Sequence, residues 1–190
     1  MDILRLTLFV GLIFHKLLWE VLKRSDRVAG VPRELSKWPG IWFVKLLKAV
    51  VLVFLAVQTL FLDLFPITSQ SGPLRTIGTA IYFVGLATAV VGRLRLGKNW
   101  VDLEEHQVLP EQSLVTHGIY RYIRHPIYAG DLLLIVGLEL ALNSWLVLGV
   151  FMLIPVVIRQ ALAEEVQLSQ TFPGYTAYCR RTKRFIPFVF

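Results

Sequence analysis

The run from Leu132 to Val157 limits the fold more than any other stretch, because its only charged side chain is Glu139. Further apolar runs occupy 3–22, 41–62 and 76–92. None alternates apolar and polar residues with period two, so they read as helices and not as strands of a barrel. Each is long enough to cross a bilayer core at about 1.5 Å per residue. The chain is 55% hydrophobic with a mean hydropathy of +0.61, and the expected fold class is therefore all-α, an integral membrane protein. Residues 127–158 are too long for one span and carry Asn143-Ser144 near the middle. They read as two helices, 127–142 and 145–168, joined as a hairpin. Five transmembrane helices result, the last two forming that hairpin. The third span is rich in small residues (Gly78, Ala80, Gly85, Ala87, Ala89, Gly92), a pattern that lets helices approach closely in lipid.

Charge divides the connecting segments. Lys23, Arg24, Arg27, Arg33 and Lys37 lie in 23–40, and Arg93, Arg95, Lys98, Arg121 and Arg124 in 93–126. From the last span onward come Arg159, Arg180, Arg181, Lys183 and Arg184, whereas the opposite side has only Arg5 and Arg75. The positive-inside rule then puts the N-terminus outside, and the 93–126 stretch and the C-terminus in the cytosol. The net charge of +7 suits loops facing anionic membrane lipid. It does not point to nucleic acid, since the basic residues are distributed among loops. Cys179 is the only cysteine, which rules out an internal disulfide. Lys23 and Arg24 follow the first apolar run where a cleavage site of small residues would be needed, so that run reads as a retained span.

The chemistry concentrates in 117–131, His-Gly-Ile-Tyr-Arg-Tyr-Ile-Arg-His-Pro-Ile-Tyr-Ala-Gly-Asp. Pro126 suits the first turn of a helix. The N–H groups just after it, around Ile127 to Gly130, would face an anion, with Arg121, Arg124 and His125 alongside. A basic loop that only fixes orientation is the plainer reading of the same residues. Glu164-Glu165, at the end of the fifth helix, is the second unusual feature, because carboxylates near lipid need partners; a solvated helix end is its plainer reading. Together these groups suit a zwitterionic cofactor with an aromatic base. No metal is implied, since His15, His106, His117 and His125 lack chelating spacing. No two glycines are separated by a single residue, which excludes a Rossmann loop.

The run Leu-Val-Thr-His-Gly-Ile-Tyr-Arg-Tyr-Ile-Arg-His-Pro-Ile-Tyr (114–128) is followed by Glu-Glu-Val-Gln-Leu (164–168). After it come Phe172-Pro-Gly-Tyr175, Tyr178 and Ile186-Pro187. This combination resembles the isoprenylcysteine carboxyl methyltransferase family and, more loosely, the membrane phospholipid methyltransferases. The resemblance covers roughly 93–188, and its specificity lies in pairing Arg-His-Pro-x-Tyr with the downstream Glu-Glu.

The resemblance implies one membrane-embedded methyltransferase domain over 1–190. In it, 1–75 supplies two spans and a linker, and 93–190 the cofactor-binding and catalytic part. The cofactor it implies is S-adenosyl-L-methionine, leaving as S-adenosyl-L-homocysteine. Matching cofactor positions are Glu105, Gln112, Ser113, Leu114, Val115, Tyr120, Arg124, His125, Pro126, Ile127, Tyr128 and Glu164. The partners implied are a lipophilic or prenylated substrate and membrane lipid, with the active site cytosolic. The family's arginine one helical turn before the glutamate falls on Gln160, and the nearest arginine is Arg159. Where the family reads Phe-Gly-x-x-Tyr, this chain has Phe172-Pro173-Gly174-Tyr175.

An already ionised carboxylate acceptor needs no strong base, and Arg159 would orient it. An amine would need Glu164 or Glu165 as base. Arg159, Glu164 and Glu165 are therefore the expected catalytic residues. The best-matched acceptor is an isoprenylcysteine-like carboxylate, with phospholipid N-methylation as an alternative. Tyr128-Ala-Gly-Asp131-Leu-Leu also fits NADPH-dependent sterol-reductase-like enzymes. Intramembrane Glu139 leaves a small transporter or scaffold open.

Overall fold

The computed structural model describes residues 2–28, 41–100 and 112–189. The described residues are all-helical, without a strand: α1 (Ile3–Val28), α2 (Ile41–Phe61), α3 (Gly72–Leu96), α4 (Pro126–Ala141), α5 (Val147–Phe151), α6 (Ile154–Thr171) and α7 (Tyr175–Arg181). Two short 3-10 turns, Gly97–Asn99 and Gly118–Arg121, lie between α3 and α4. The apolar runs fold as helices, longer at several ends than their apolar cores. The expected 145–168 helix is divided into α5 and α6. Pro155 causes the break, for it offers no N–H and its ring crowds the carbonyl four residues back. The chain passes it with tight bonds from Met152 N–H to Gly149 O and Leu153 N–H to Val150 O.

The chain divides into two compact units, one built on α1 and α2, the other on the described residues from Phe65 to Trp100 and from Gln112 onward. In the first, Arg5 closes the end of α2. Its guanidinium donates to the carbonyls of Gln58, Thr59 and Leu62, at 3.1–3.2 Å, and pairs with Asp63. Gln58 and Thr59 lie in the last turn of α2 and Leu62 just past it, where carbonyls run short of backbone donors and a cation is favourable. His15 stacks on Trp19 with ring centroids 4.0 Å apart.

The second unit is organised by α3 and α4. Gly78, Gly85 and Gly92 recur every seventh residue along α3, as do Gly130 and Gly137 along α4, so each set stays on one helix face. Gly78 faces Ala141, Gly85 faces Leu134 and Gly92 faces Ile127, which makes the helices antiparallel. The approach is backbone to backbone. A Cβ on Gly137 would lie 2.2 Å from the Tyr82 nitrogen, and one on Gly85 2.3 Å from the Leu134 nitrogen. The small-residue pattern read from the third span thus forms one side of this seam, and α4 supplies its own glycines for the other.

Beyond α4 the chain turns at Asn143, whose φ of 59° is left-handed, a conformation that asparagine tolerates. Its side-chain amide donates to Thr68 O at 2.7 Å and accepts from Thr68 N–H at 3.1 Å. This clasp ties the α4–α5 turn to the segment entering α3. Gly72–Asn99 and Val147–Thr171 are long and apolar enough to cross a membrane by length and composition. Trp42, Phe43, Leu46, Leu47, Val50 and Val53 of α2 point outward, an apolar surface larger than soluble proteins leave uncovered.

Gly137→Ala should lower stability by about 1–3 kcal/mol or more, because the added methyl must push the Tyr82 backbone away. Gly149→Ala, with open space around its Cβ position, should not. Thermal unfolding in detergent, followed by circular dichroism, compares the two.

Candidate functional site

The glycine seam brings the start of α4 beside the end of α3. Before it, Gly118 takes a left-handed φ of 63° and opens the 3-10 turn that carries Tyr120. The Tyr120 ring is buried, and its hydroxyl faces Gly92 O at 3.4 Å. Its carbonyl accepts from the Tyr178 hydroxyl at 2.7 Å, which anchors α7 to this turn. Residues 122–125 then run alongside the C-terminal segment. Lys183 N–H donates to Tyr122 O (3.1 Å), Arg124 N–H to Lys183 O (2.8 Å) and His125 N–H to Arg184 O (3.0 Å). Pro126 begins α4 as expected. The N–H groups of Ile127 and Tyr128 belong to the first turn and have no intrahelical acceptor.

Onto this helix start α6 presents its acidic pair. The Tyr128 hydroxyl donates to Glu164 Oε1, and Gln160 Nε2 approaches the same oxygen at 3.4 Å. His125 lies between the two acids, with Nδ1 3.6 Å from Glu164 Oε2 and Nε2 3.3 Å from Glu165 Oε1. Glu165 Oε1 also accepts from Arg124 Nε at 2.9 Å and from Arg184 Nε at 3.1 Å. Arg124 uses its other arm to reach the carbonyls of Cys179 (3.2 Å) and Thr182 (2.6 Å). The His125 ring stacks near Tyr128 and also meets Phe185 at a tilt, each with a centroid distance of 5.7 Å.

Of the residues expected from sequence, Tyr120, Arg124, His125, Pro126, Ile127, Tyr128, Glu164 and Glu165 come together here. Gln112 and Ser113 are joined to Asn99, Gln112 Nε2 reaching Asn99 O at 2.8 Å and Ser113 N–H reaching Asn99 Oδ1 at 2.7 Å. Leu114 is half-buried and Val115 buried in the same segment. Glu105 lies outside the described residues. Arg159 is exposed about 100° round α6 from Gln160, and it is Gln160 that reaches Glu164. Three contributors escaped the sequence reading. Arg184 and Phe185 carry no mark separating them from neighbouring basic and aromatic residues. Arg93 is fully buried with its guanidinium 4.3 Å from the Trp100 ring, although it reads as one more loop charge.

Electrostatics follow the burial. Tyr120 is held well above the usual phenol range, first by burial and then by nearby Tyr178 and Glu164. Burial likewise raises Tyr175 and Tyr178. The hydrogen bond that Arg184 donates to Glu165 raises the arginine further above its already high value. Among the described residues, no group of three His, Cys, Asp or Glu side chains could hold a metal ion.

The phospholipid methyltransferase family matches this chain over residues 74–174. The cobalt-zinc-cadmium resistance protein CzcN of Cupriavidus metallidurans is 37% identical over 109 residues, 55% of this chain and 46% of that protein. The nickel-cobalt-cadmium resistance protein NccN of Alcaligenes xylosoxydans xylosoxydans is 36% identical over 124 residues, 62% of this chain and 51% of that protein. The chain thus spans about half the length of these two relatives. Protein-S-isoprenylcysteine O-methyltransferase A of Arabidopsis thaliana is 26% identical over 132 residues, 66% of each chain. Among solved structures, the eukaryotic intramembrane Ras methyltransferase ICMT has the same fold, with a TM-score of 0.53 at 21% identity. That match covers 80% of this chain and 54% of that one.

The raised phenols give a pH dependence. In the unfolded chain Tyr120, Tyr175 and Tyr178 titrate at about 10, whereas the folded chain keeps them neutral to higher pH. Their contribution to stability is complete below about pH 10 and is lost as pH rises above it. Chemical denaturation at pH 9 and pH 11 should show a lower midpoint at the higher pH. Replacing Tyr120 and Tyr178 with Phe should shrink the difference.

Proposed function

The chain belongs to the phospholipid methyltransferase family, and on that premise we propose that it methylates a lipophilic acceptor at the membrane using S-adenosylmethionine. The observation that carries this reading is the meeting of Tyr128, His125 and Glu164 at the proline-started end of α4. The donor set fits the cofactor. Glu164 offers a carboxylate whose side chain is 35% exposed, suited to an amine or ribose hydroxyls. The free N–H groups of the α4 first turn suit a carboxylate, and the rings of Tyr120 and Tyr128 can flank a flat base. When bound, S-adenosylmethionine supplies an electrophilic sulfonium methyl for in-line displacement and leaves as S-adenosylhomocysteine.

The residues of this chain hold, align and exclude water. Tyr128 fixes Glu164, and Gln160 steadies it from one turn earlier on α6. The acceptor we propose is an isoprenylcysteine-like carboxylate, a class named for the Arabidopsis relative. Arg159, one position from Gln160, is the group proposed to orient it. With an amine acceptor, Glu164 would take the proton. The proposed topology has five spans, with the N-terminus outside and the C-terminus and site in the cytosol. The acceptor then enters from lipid and the cofactor from water.

The names of the two bacterial relatives favour a second reading of the product's role, in tolerance of cobalt, nickel, zinc or cadmium. Growth of a deletion strain on graded metal separates the two roles.

Calorimetry with S-adenosylhomocysteine should show binding, and NADPH should not compete. Glu164→Gln and Tyr128→Phe should each weaken binding about ten- to a hundredfold, as for losing a hydrogen bond to a charged group. Stronger binding of NADPH than of S-adenosylhomocysteine would replace this reading with that of a reductase. Incubation of lipid extracts with methyl-labelled cofactor, read by mass spectrometry, identifies the acceptor. Arg159→Gln should then raise KM for a carboxylate acceptor and leave cofactor affinity unchanged.

A further inference from the structure

The two neighbouring carboxylates are used in opposite ways. Glu165 accepts from Arg124, Arg184 and His125 on Oε1 and again from Arg184 on Oε2, at 2.9–3.3 Å. Its side chain is only 12% exposed. These are three donors, with Arg184 Nε shared between both oxygens; they crowd Oε1 and leave a ligand only part of the little-exposed Oε2. Its partners come from different parts of the chain. Arg124 and His125 precede α4, whereas Arg184 lies beyond α7. The same two segments are joined by three backbone bonds between 122–125 and 183–184. Arg124 adds its reach to the Cys179 and Thr182 carbonyls. The result sets Phe185 against the His125 ring. Glu164 is nearly three times as exposed, at 35% against 12%, and its partners, Tyr128, Gln160 and the His125 shared with Glu165, do not include the C-terminal segment.

We propose that Glu165 is a positioning residue that latches the C-terminal segment 182–185 onto the turn before α4, and that Glu164 is the member of the pair that meets the ligand. The segment so held, with Phe185 foremost, forms a wall of the cofactor site. This rests on the methyltransferase reading for the ligand's identity, but the latch itself does not. The arrangement gives the two adjacent acids of this chain separate uses. Arg124 and His125 require a carboxylate to hold the wall, and Tyr128 requires another to face into the site.

Limited trypsin digestion of the full chain in detergent, read by intact mass, reports release of the tail at Arg180, Arg181, Lys183 and Arg184. With no cofactor added, Glu165→Gln and Arg184→Gln should speed that cleavage at least tenfold, at unchanged helix content. Glu165→Asp should restore part of the protection. Glu164→Gln should cleave at the wild-type rate while losing affinity for S-adenosylhomocysteine. Wild-type cleavage in both Glu165→Gln and Arg184→Gln would overturn the latch. So would a loss of affinity in Glu165→Gln that Glu165→Asp does not relieve while the tail stays protected. If Glu165→Gln fails to fold, the milder Arg184→Gln decides alone. If wild-type protein binds no S-adenosylhomocysteine, the methyltransferase reading fails, and the cleavage rates still judge the latch.

Discussion

Contact between the backbones of α3 and α4 is the constraint on which the second unit depends. Apolar side chains gain nothing by leaving lipid for another helix, so close approach must supply the packing. Glycines at every seventh position on both helices permit that approach, and a side chain at Gly78, Gly85, Gly130 or Gly137 would part the two axes. Because the helices are antiparallel, the seam determines which ends meet. The end of α3, at Gly92, lies against the start of α4, at Pro126 and Ile127. The buried Tyr120 turn, His125 and Tyr128 are placed at that junction, where Glu164 and Glu165 meet them.

A second constraint is electrostatic. Four charged or chargeable side chains, Arg124, His125, Glu165 and Arg184, are gathered within hydrogen-bonding distance. Breaking such a pair by removing one partner leaves an uncompensated charge, which is far costlier than losing an exposed ion pair. The cluster also joins residues distant in sequence, from before α4, from α6 and from beyond α7. Glycine contact thus positions the helices, and charge pairing then closes the chain's last segment over the site they form.

Much of this was legible in the residues. Long apolar runs specify helices because lipid offers the backbone no other partner. The small residues of the third span announced a close neighbour, and Pro126 announced a helix start. The meeting of Tyr128 with Glu164 was legible only through the joint occurrence of two motifs, since neither names its partner alone. Pro155 carried a clear signal that the apolar content around it masked, and α5 and α6 are separate for that reason. The Arg184 contact was not legible. Its neighbours Arg180, Arg181 and Lys183 have the same charge, and only the backbone pairing with 122–125 selects one of them. Gln160 was visible as a departure from the family pattern, but its use in holding Glu164 follows from the geometry of α6.

The left-handed turn at Asn143 has a chemical corollary. Asparagine followed by serine deamidates when the next peptide nitrogen attacks the side-chain amide. Here the Ser144 N–H is engaged by Glu139 O at 2.8 Å, and the amide is held on both sides by Thr68. The native clasp therefore shields this bond from ageing, and an aspartate formed there marks a molecule that has been open. Once formed, it would set a carboxylate against the Thr68 carbonyl where an amide had donated, so the damaged turn could not reclose as before.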